Sequence, residues 1–570
     1  MAKATQSMNK IWLDDYASDV PAEIDPIEHK NLGDFFETAF KAFPDRKAQT
    51  CMGTSITYRE WDEYSRHFGA WLQSLGLEPS ARVAVMLPNI IQTPIVIAAI
   101  LRAGFVLSSI NPLYTPREVK NQLNNSGAEA IIVLENFAAN LEQVVADTSL
   151  KHVCVTTMGD MTDGQLFGLK SALVNFVVRR VKKMVPDWNL PNHTPYLDAL
   201  LLGEKNQLKP SLRTQDDIAL LQYTGGTTGV PKAAMITHLN VLSNIEQCGV
   251  WIQSGLKAKS APENVTFICA LPLFHIFALT VNLMIATRIG GHNLLIPNPR
   301  DIPSLIKDLK NNPVHVFGGL NTLYNALLNN KNFRKLDFSN LLITASGGMK
   351  TQTAVANRWK TITGSTILEC YGLSETSPVV SGNRFDAENF SGTIGIPIPS
   401  TNVEIRSDDN KALPAGEIGE ICISGPQVMA GYWNNPEETE LVFTKDKMFK
   451  SGDMGFMDKS GYITIVDRLK DMILISGFNV YPNEIEDVVT LLDGVHECAA
   501  VGLANEHGQE DIKLFVVRKD EDLTEADIRM HCKEQLTNYK RPKYISFYDE
   551  LPKSNVGKIL RRELKIFKSI

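Results

Sequence analysis

A chain of 570 residues is longer than one hydrophobic core supports, so several packed units are expected. With 44% hydrophobic and 21% charged residues it has the composition of a globular protein, and a net charge of −7 gives no general electrostatic reason to bind nucleic acid. Its eight cysteines (Cys51, Cys154, Cys248, Cys269, Cys370, Cys422, Cys498 and Cys532) show no CxxC pair or short metal-ligand spacing, which predicts reduced, mostly buried thiols in a cytoplasmic protein.

The opening "MAKATQSMNKIWLDDYASDVP" has no apolar core of signal-peptide length, which argues against export. The longest apolar stretch, 83–106, is broken by Pro88, Asn89, Gln92, Pro94 and Arg102 and makes a poor transmembrane helix. Within it "ARVAVMLPN" reads as a strand and turn, and "IQTPIVIAAILRAG" as a buried helix ending at Gly104. "AEAIIVLEN" reads as the next strand. The alternation resumes with "VTFICALPLF" as a strand, "RDIPSLIKDLKNN" as a helix, and "VHVFGG" and "NLLITASGG" as strands, predicting α/β layers. Beyond residue 400 the texture turns to short strands and turns, as in "EIGEICISGPQVMAGYW" and "KSGYITIVDR". "YPNEIEDVVTLL" then reads as a helix with Pro482 in its first turn, followed by strands "CAAVGLA" and "DIKLFVVRKD" and helix "TEADIRMHCKEQL". The expected organisation is a large N-terminal α/β region, 1–467, and a small C-terminal α+β domain, 468–570, joined at "DRLKD".

The stretch "YTGGTTGVPK" comprises Tyr223, Thr224, Gly225, Gly226, Thr227, Thr228, Gly229, Val230, Pro231 and Lys232. Its glycines let backbone N–H groups approach an anion, its threonines add hydroxyl donors, and Lys232 supplies a cation. The NTPase P-loop needs G-x-x-x-x-G-K-[ST] leading into a helix. Here Lys232 follows a proline and precedes "AAMIT", which reads as a strand. The mismatch argues against an ordinary P-loop ATPase or GTPase, and a glycine-rich hairpin without a ligand is the plainer alternative.

"YTGGTTGVPKAAMITH" resembles the phosphate-binding signature of the acyl-adenylate-forming superfamily. The family's other motifs follow in order: "LPLFHIF", "ASGGM", "YGLSETSP", "GYWNNPEET", "KSGD", "DRLKDMILISGFNVYPNEIEDVV" and "LPKSNVGKILRREL". Together they span residues 223–564, and the last two are similar to bacterial long-chain fatty acid–CoA ligases in particular. The resemblance implies a two-step ligase. ATP activates a fatty acid to an acyl-adenylate with loss of pyrophosphate, and coenzyme A then displaces AMP, giving acyl-CoA for degradation or lipid synthesis. An enzyme loading an acyl carrier protein is the alternative, and a lipid-binding protein that kept the fold without the activity is a more distant one.

Site roles follow from the same resemblance. Residues 223–232 would grip the pyrophosphate, Glu375 would bind Mg²⁺ with Ser374 beside it, and Tyr371 would offer a face to adenine, with Gly347, Gly348 and Gly372 allowing close approach. Asp453 would accept from the ribose hydroxyls and Arg468 would contact the same nucleotide. Lys558 would bridge the carboxylate and the α-phosphate, His275 would position the carboxylate and gate the tunnel, Lys470 would be the hinge, and Gly477 would line the pantetheine tunnel. Cys370 stands where many relatives carry Gly and would narrow the adenine slot.

Two readings concern the acyl substrate. "IFALTVNLMIA" suits both a wall of the acyl pocket and ordinary core. In "KSALVNFVVRRVKKMVP", Leu173, Phe176, Val177, Val181 and Met184 recur at helical spacing, with Arg179, Arg180, Lys182 and Lys183 around them. That pattern fits an interfacial helix lying on the inner face of the membrane or a surface helix packed on the core. The sequence leaves a homodimer open.

Overall fold

The computed structural model describes residues 10–163, 168–224, 231–475, 478–504, 510–554 and 557–566. Two large mixed sheets dominate. The first has nine strands, with Lys47–Cys51, His292–Leu295, Thr266–Cys269, Val316–Gly319, Ile343–Ser346 and Ile367–Gly372 side by side and parallel at its centre. Val379–Gly382 and Ile396–Pro397 extend it antiparallel beyond Ile367–Gly372. The second has eight strands, including parallel Arg82–Met86, Val106–Ser109, Ala130–Leu134 and His152–Thr156, and the antiparallel hairpin Ile218–Thr224/Lys232–Thr237 toward one edge.

One core draws on both sheets and on the helices Leu32–Ala42, Tyr58–Ser74, Gln92–Arg102 and His238–Ala258. Gln92–Arg102 is buried along its whole length, which explains why its sequence is apolar on every face. The buried Arg102 at its end is charge-paired with Asp62 at 2.8 Å, as a cation removed from water must be. Helix starts are fixed by reciprocal caps: Thr57 with Glu60, Thr115 with Glu118, Thr237 with Asn240.

The strands and helices expected from hydrophobic pattern stand where they were read. The reading passed over Val106–Ser109 and the helix Pro116–Ser126 between them. The first is only four residues, all buried, and so shows no alternation. The second is polar apart from a narrow buried stripe that includes Val119 and Leu123. Past residue 400, Asn402–Arg406, Gly419–Ser424, Phe449–Met457 and Ile463–Arg468 form an antiparallel four-stranded sheet. The C-terminal part packs Pro482–Thr490 and Glu525–Gln535 beside a three-stranded sheet, Val495–Ala504, Glu510–Arg518 and Tyr544–Tyr548, over its own apolar core.

All eight cysteines are free thiols, seven buried and Cys370 half-buried. Residues 276–286 run into a wide π-helical turn, Ala278–Met284, whose residues pack mostly in the main core. The basic apolar segment forms the helix Leu169–Phe176, continued by a π-helical turn Val177–Val181. Its apolar side does not pack on the core: Leu169 is 92% exposed, Leu173 62% and Phe176 58%, while Ser171 and Val178 face inward. Among the described residues no helix is long and apolar enough to cross a membrane.

Candidate active site

The C-terminal part closes over the large region at a cleft of about 340 Å³, lined by Glu369, Tyr371 and Asp453 on one side and Asn483, Lys558 and Arg561 on the other. The strand Ile367–Gly372 ends here, bringing Tyr371 to the cleft with its ring largely buried. The Tyr371 hydroxyl donates to Asp453 Oδ2 at 2.6 Å. Asp453 lies on Phe449–Met457 directly opposite Arg468 on the neighbouring strand, and Arg468 Nε forms an ion pair with its other oxygen at 2.9 Å. One hydrogen bond and one ion pair thus lock a carboxylate that is 3% exposed. Burial and the Asp453 charge push the Tyr371 phenol up, so it keeps its proton, and Asp453 holds the Arg468 guanidinium charged.

The glycines of the site serve different ends. A Cβ on Gly347 would stand 3.2 Å from the Cys370 carbonyl oxygen and from the Phe277 ring, and Gly348 has φ +78°, a conformation that suits only glycine readily. At Gly372 a Cβ would lie 1.9 Å from the Pro378 carbonyl oxygen, so that glycine is demanded by the hairpin's own backbone. The Cys370 sulfur packs toward Gly382, near the Trp251 indole.

Glu375 sits in the single turn Ser374–Thr376, nearly buried, and its Oε1 accepts from the Tyr432 hydroxyl at 2.8 Å. Burial raises its pKa, opposed by the Tyr432 bond and the Arg468 charge. Among the described residues no group of three or more His, Cys, Asp or Glu side chains could cage a metal. A single buried carboxylate suits Mg²⁺, which is commonly held by one or two protein carboxylates, several waters and substrate phosphates.

Of the predicted phosphate loop, Gly225, Gly226, Thr227, Thr228, Gly229 and Val230 lie outside the described residues. The two strands that carry it are described, with Thr224 opposite Lys232 in register and Pro231 leading into the second strand. The Tyr223 hydroxyl donates to Asn125 Oδ1 at 2.7 Å, on the helix Pro116–Ser126. Lys232 Nζ pairs with Glu438 at 2.6 Å and lies 5.5 Å from the centre of the Tyr432 ring.

Lys558 arrives on a tight loop: Lys558 N donates to Ser554 Oγ at 3.1 Å and Ser554 N to the Lys558 carbonyl at 2.7 Å. Gly557, at φ +84°, would place a Cβ 2.8 Å from Thr322 Oγ1, so a residue without a side chain lets this loop seat against the large region. The neighbouring cations are spoken for. Lys553 pairs with Glu497 at 2.7 Å and Arg561 with Glu486 at 2.6 Å. Lys558 instead lies within reach of Arg468, Lys470 and Asp453, and the Arg468 charge, followed by burial, brings its ammonium down to about 7. His275 immediately precedes the helical segment at 276, and burial together with the nearby Lys558 brings it down to about 4, so it is neutral at pH 7. Lys470 stands in the turn after Ile463–Arg468, between the large region and the hairpin Ile473–Ile475/Phe478–Val480. Gly477 lies outside the described residues.

Several groups here were missed from sequence. Tyr432 and Glu438 belong to the quoted "GYWNNPEET" but had no role until the fold set them on Glu375 and Lys232. Arg561 ties the lysine loop to Asn483 and Glu486 on the helix Pro482–Thr490. Lys350, just beyond the paired glycines, makes a short ion pair with Asp487 across the domain boundary.

Residues 36–433 match the AMP-binding enzyme family and residues 484–558 the AMP-binding enzyme C-terminal domain. The chain is 50% identical to a long-chain-fatty-acid–CoA ligase of Escherichia coli O6:H1 and 47% identical to one of Haemophilus influenzae, each over 98% of both chains. Among solved structures it resembles the anthranilate CoA ligase AuaEII in complex with anthranoyl-AMP, with a TM-score of 0.81 at 24% identity over 97% of this chain and 98% of that one. ATP-bound MatB from Rhodopseudomonas palustris matches with a TM-score of 0.78 at 26% identity, over 94% and 98%.

Proposed function

The chain belongs to the AMP-binding enzyme family, and we propose that it activates a long-chain fatty acid with ATP and passes the acyl group to coenzyme A in the cleft between its two parts. Its activity is that of an AMP-forming acid–thiol ligase. A fatty carboxylate cannot expel oxide, so its oxygen first attacks the α-phosphorus, with pyrophosphate leaving. The thiolate sulfur then attacks the acyl carbon, and AMP leaves. Catalysis of the first step is mostly positioning and charge stabilisation.

In this reading Asp453, already locked by Tyr371 and Arg468, accepts from the ribose, and Gly347 and Gly348 leave room for adenine against Tyr371. Thr224, Lys232 and the intervening loop take the β- and γ-phosphates. Glu375, oriented by Tyr432, is the protein ligand for Mg²⁺, which would neutralise phosphate charge. Lys558 sets an ammonium between carboxylate and α-phosphate, and neutral His275 orients the acid, which needs no base because it is already ionised. Lys470 is the hinge about which the C-terminal part turns so that the thiol replaces Lys558 at the same cleft. The observation that carries this is the convergence of Lys558, Arg468, Asp453 and Tyr371 from distant segments on one cleft. The test is acyl-CoA formation across medium- and long-chain acids, with AMP and ADP both quantified: AMP should form with free coenzyme A as acceptor. ADP formation, or a requirement for an acyl carrier protein, would overturn it.

The exposed helix supports a finer reading of how the enzyme meets its substrate. Leu169, Leu173, Phe176, Val181 and Met184 are exposed alongside Arg180, Lys182 and Lys183, which suits an anionic bilayer surface. Arg179 is partly engaged with the buried Glu135 at 2.7 Å. Replacing Arg180, Lys182 and Lys183 by Gln should therefore weaken binding to anionic vesicles, and unchanged binding would refute the interfacial role.

A further inference from the structure

The segment "GYWNNPEET" lies along the second strand of the hairpin that carries the predicted phosphate loop, and it sets a carboxylate on Lys232. Gly431–Tyr432 pairs antiparallel with Lys232–Thr237, and Trp433 N donates to the Ala233 carbonyl, which fixes this segment beside Lys232. The short helix Pro436–Val442 follows, and Glu438 on it reaches back to Lys232 Nζ at 2.6 Å. The two side chains are 19% and 30% exposed, so solvent and ligand can compete for the pair. Tyr432 lies under the ammonium and donates its hydroxyl to Glu375, so the group that borders Lys232 also orients the proposed metal ligand.

We propose that Glu438 is a displaceable counter-ion for Lys232, a positioning residue that sets the affinity of the site for the triphosphate. This rests on the reading of Lys232 as a phosphate cation. A phosphate arriving at Lys232 meets an ammonium already holding an oxyanion, and two anions on one cation repel each other. Glu438 must swing aside. Its backbone N–H donates to Asn435 Oδ1 at the helix start, so the backbone is anchored and the exposed side chain alone has to move. A fully charged triphosphate displaces it more readily than inorganic phosphate or a stray carboxylate does, and its return helps expel pyrophosphate after adenylation. The pair is partly exposed, so the effect is modest: such pairs are worth up to about a fivefold change in binding.

The test compares E438Q, E437Q, K232M and the K232M/E438Q double variant in the full-length enzyme, reading KM for ATP, kcat and inhibition by pyrophosphate. Glu438 loses its charge in E438Q but keeps its shape, and Glu437 is its exposed neighbour on the same helix. E438Q should lower KM for ATP about three- to fivefold, tighten pyrophosphate inhibition to a similar degree and leave kcat nearly unchanged. E437Q should shift KM far less, and the E438Q gain should vanish in the K232M background. A raised or unchanged KM in E438Q would overturn the proposal, because Glu438 would then be a prop for Lys232 or a bystander. An equal gain in E437Q would also overturn it, reducing the effect to the general field. A K232M variant with unaltered KM for ATP would instead refute the phosphate reading of Lys232 itself, and the proposal with it.

Discussion

The two sides of the cleft are built on different terms. On the large region, Asp453, Tyr371 and the half-buried Arg468 are cross-strand or cross-sheet neighbours, each paired before any ligand arrives. On the C-terminal side, Lys558 is delivered by a loop closed between Ser554 and Lys558 and seated through a glycine against Thr322, while Lys553 and Arg561 are tied back into their own domain. The first arrangement suits binding, which must persist through both half-reactions. The second suits a charge needed for one half-reaction and withdrawn for the other.

The contrast can be broken most sharply at Lys558. Lys558→Ala should lower the rate of acyl-adenylate formation by at least about a hundredfold, the scale of losing one preorganised charge at a developing anion, with little change in ATP binding. An equal loss in ATP affinity would erase the distinction between the two sides. Because the ammonium sits at about 7, it loses its proton as pH rises through that value. The kcat/KM for adenylation should therefore fall on the alkaline side of about 7, a limb absent from Lys558→Ala. Bound triphosphate favours the charged form, so the limb should lie higher in kcat than in kcat/KM.

On the other side Asp453→Asn should cost roughly 2–3 kcal/mol, ~30- to 150-fold in kcat/KM for ATP, because it removes a charged acceptor and leaves Arg468 half-buried without its partner. That loss should appear in both half-reactions, as both hold the nucleotide. Tyr432→Phe should have the smallest effect, about three- to tenfold in the Mg²⁺ concentration needed, since it removes one hydroxyl from Glu375 and leaves the ring under Lys232. A Tyr432→Phe variant with unaltered Mg²⁺ dependence would separate Glu375 from the metal.

What was legible from sequence divides along the same physical line. Local patterns placed the strands and helices whose buried face leaves a clear period in the chain, while helices such as Leu32–Ala42, Tyr58–Ser74 and His238–Ala258 went unread. The motifs named Tyr371, Asp453, Arg468 and Lys558, but not how they meet. That Asp453 faces Arg468 depends on strand register, and that Tyr371 bonds Asp453 depends on two sheets coming together. Tyr432 and Glu438 lay in plain view in "GYWNNPEET", yet their partners Glu375 and Lys232 are far away in the chain, where no local pattern reaches. The strand Val106–Ser109 and the helix Pro116–Ser126 escaped for the opposite reason: one is too short and too uniformly buried, the other too polar, to leave a period. The outward-facing apolar side of Leu169–Phe176 was ambiguous from spacing alone, since the same stripe can face a core or a bilayer, and only its exposure distinguishes them.

The most direct measurement is thioester formation by Lys558→Ala from supplied acyl-adenylate and coenzyme A, set beside the wild-type enzyme. A cleft that binds with one wall and activates with the other predicts that acyl transfer stays within a fewfold of wild type while adenylation collapses. Parallel loss of both half-reactions would contradict it, making Lys558 a structural support for the cleft instead of the charge that serves its first step.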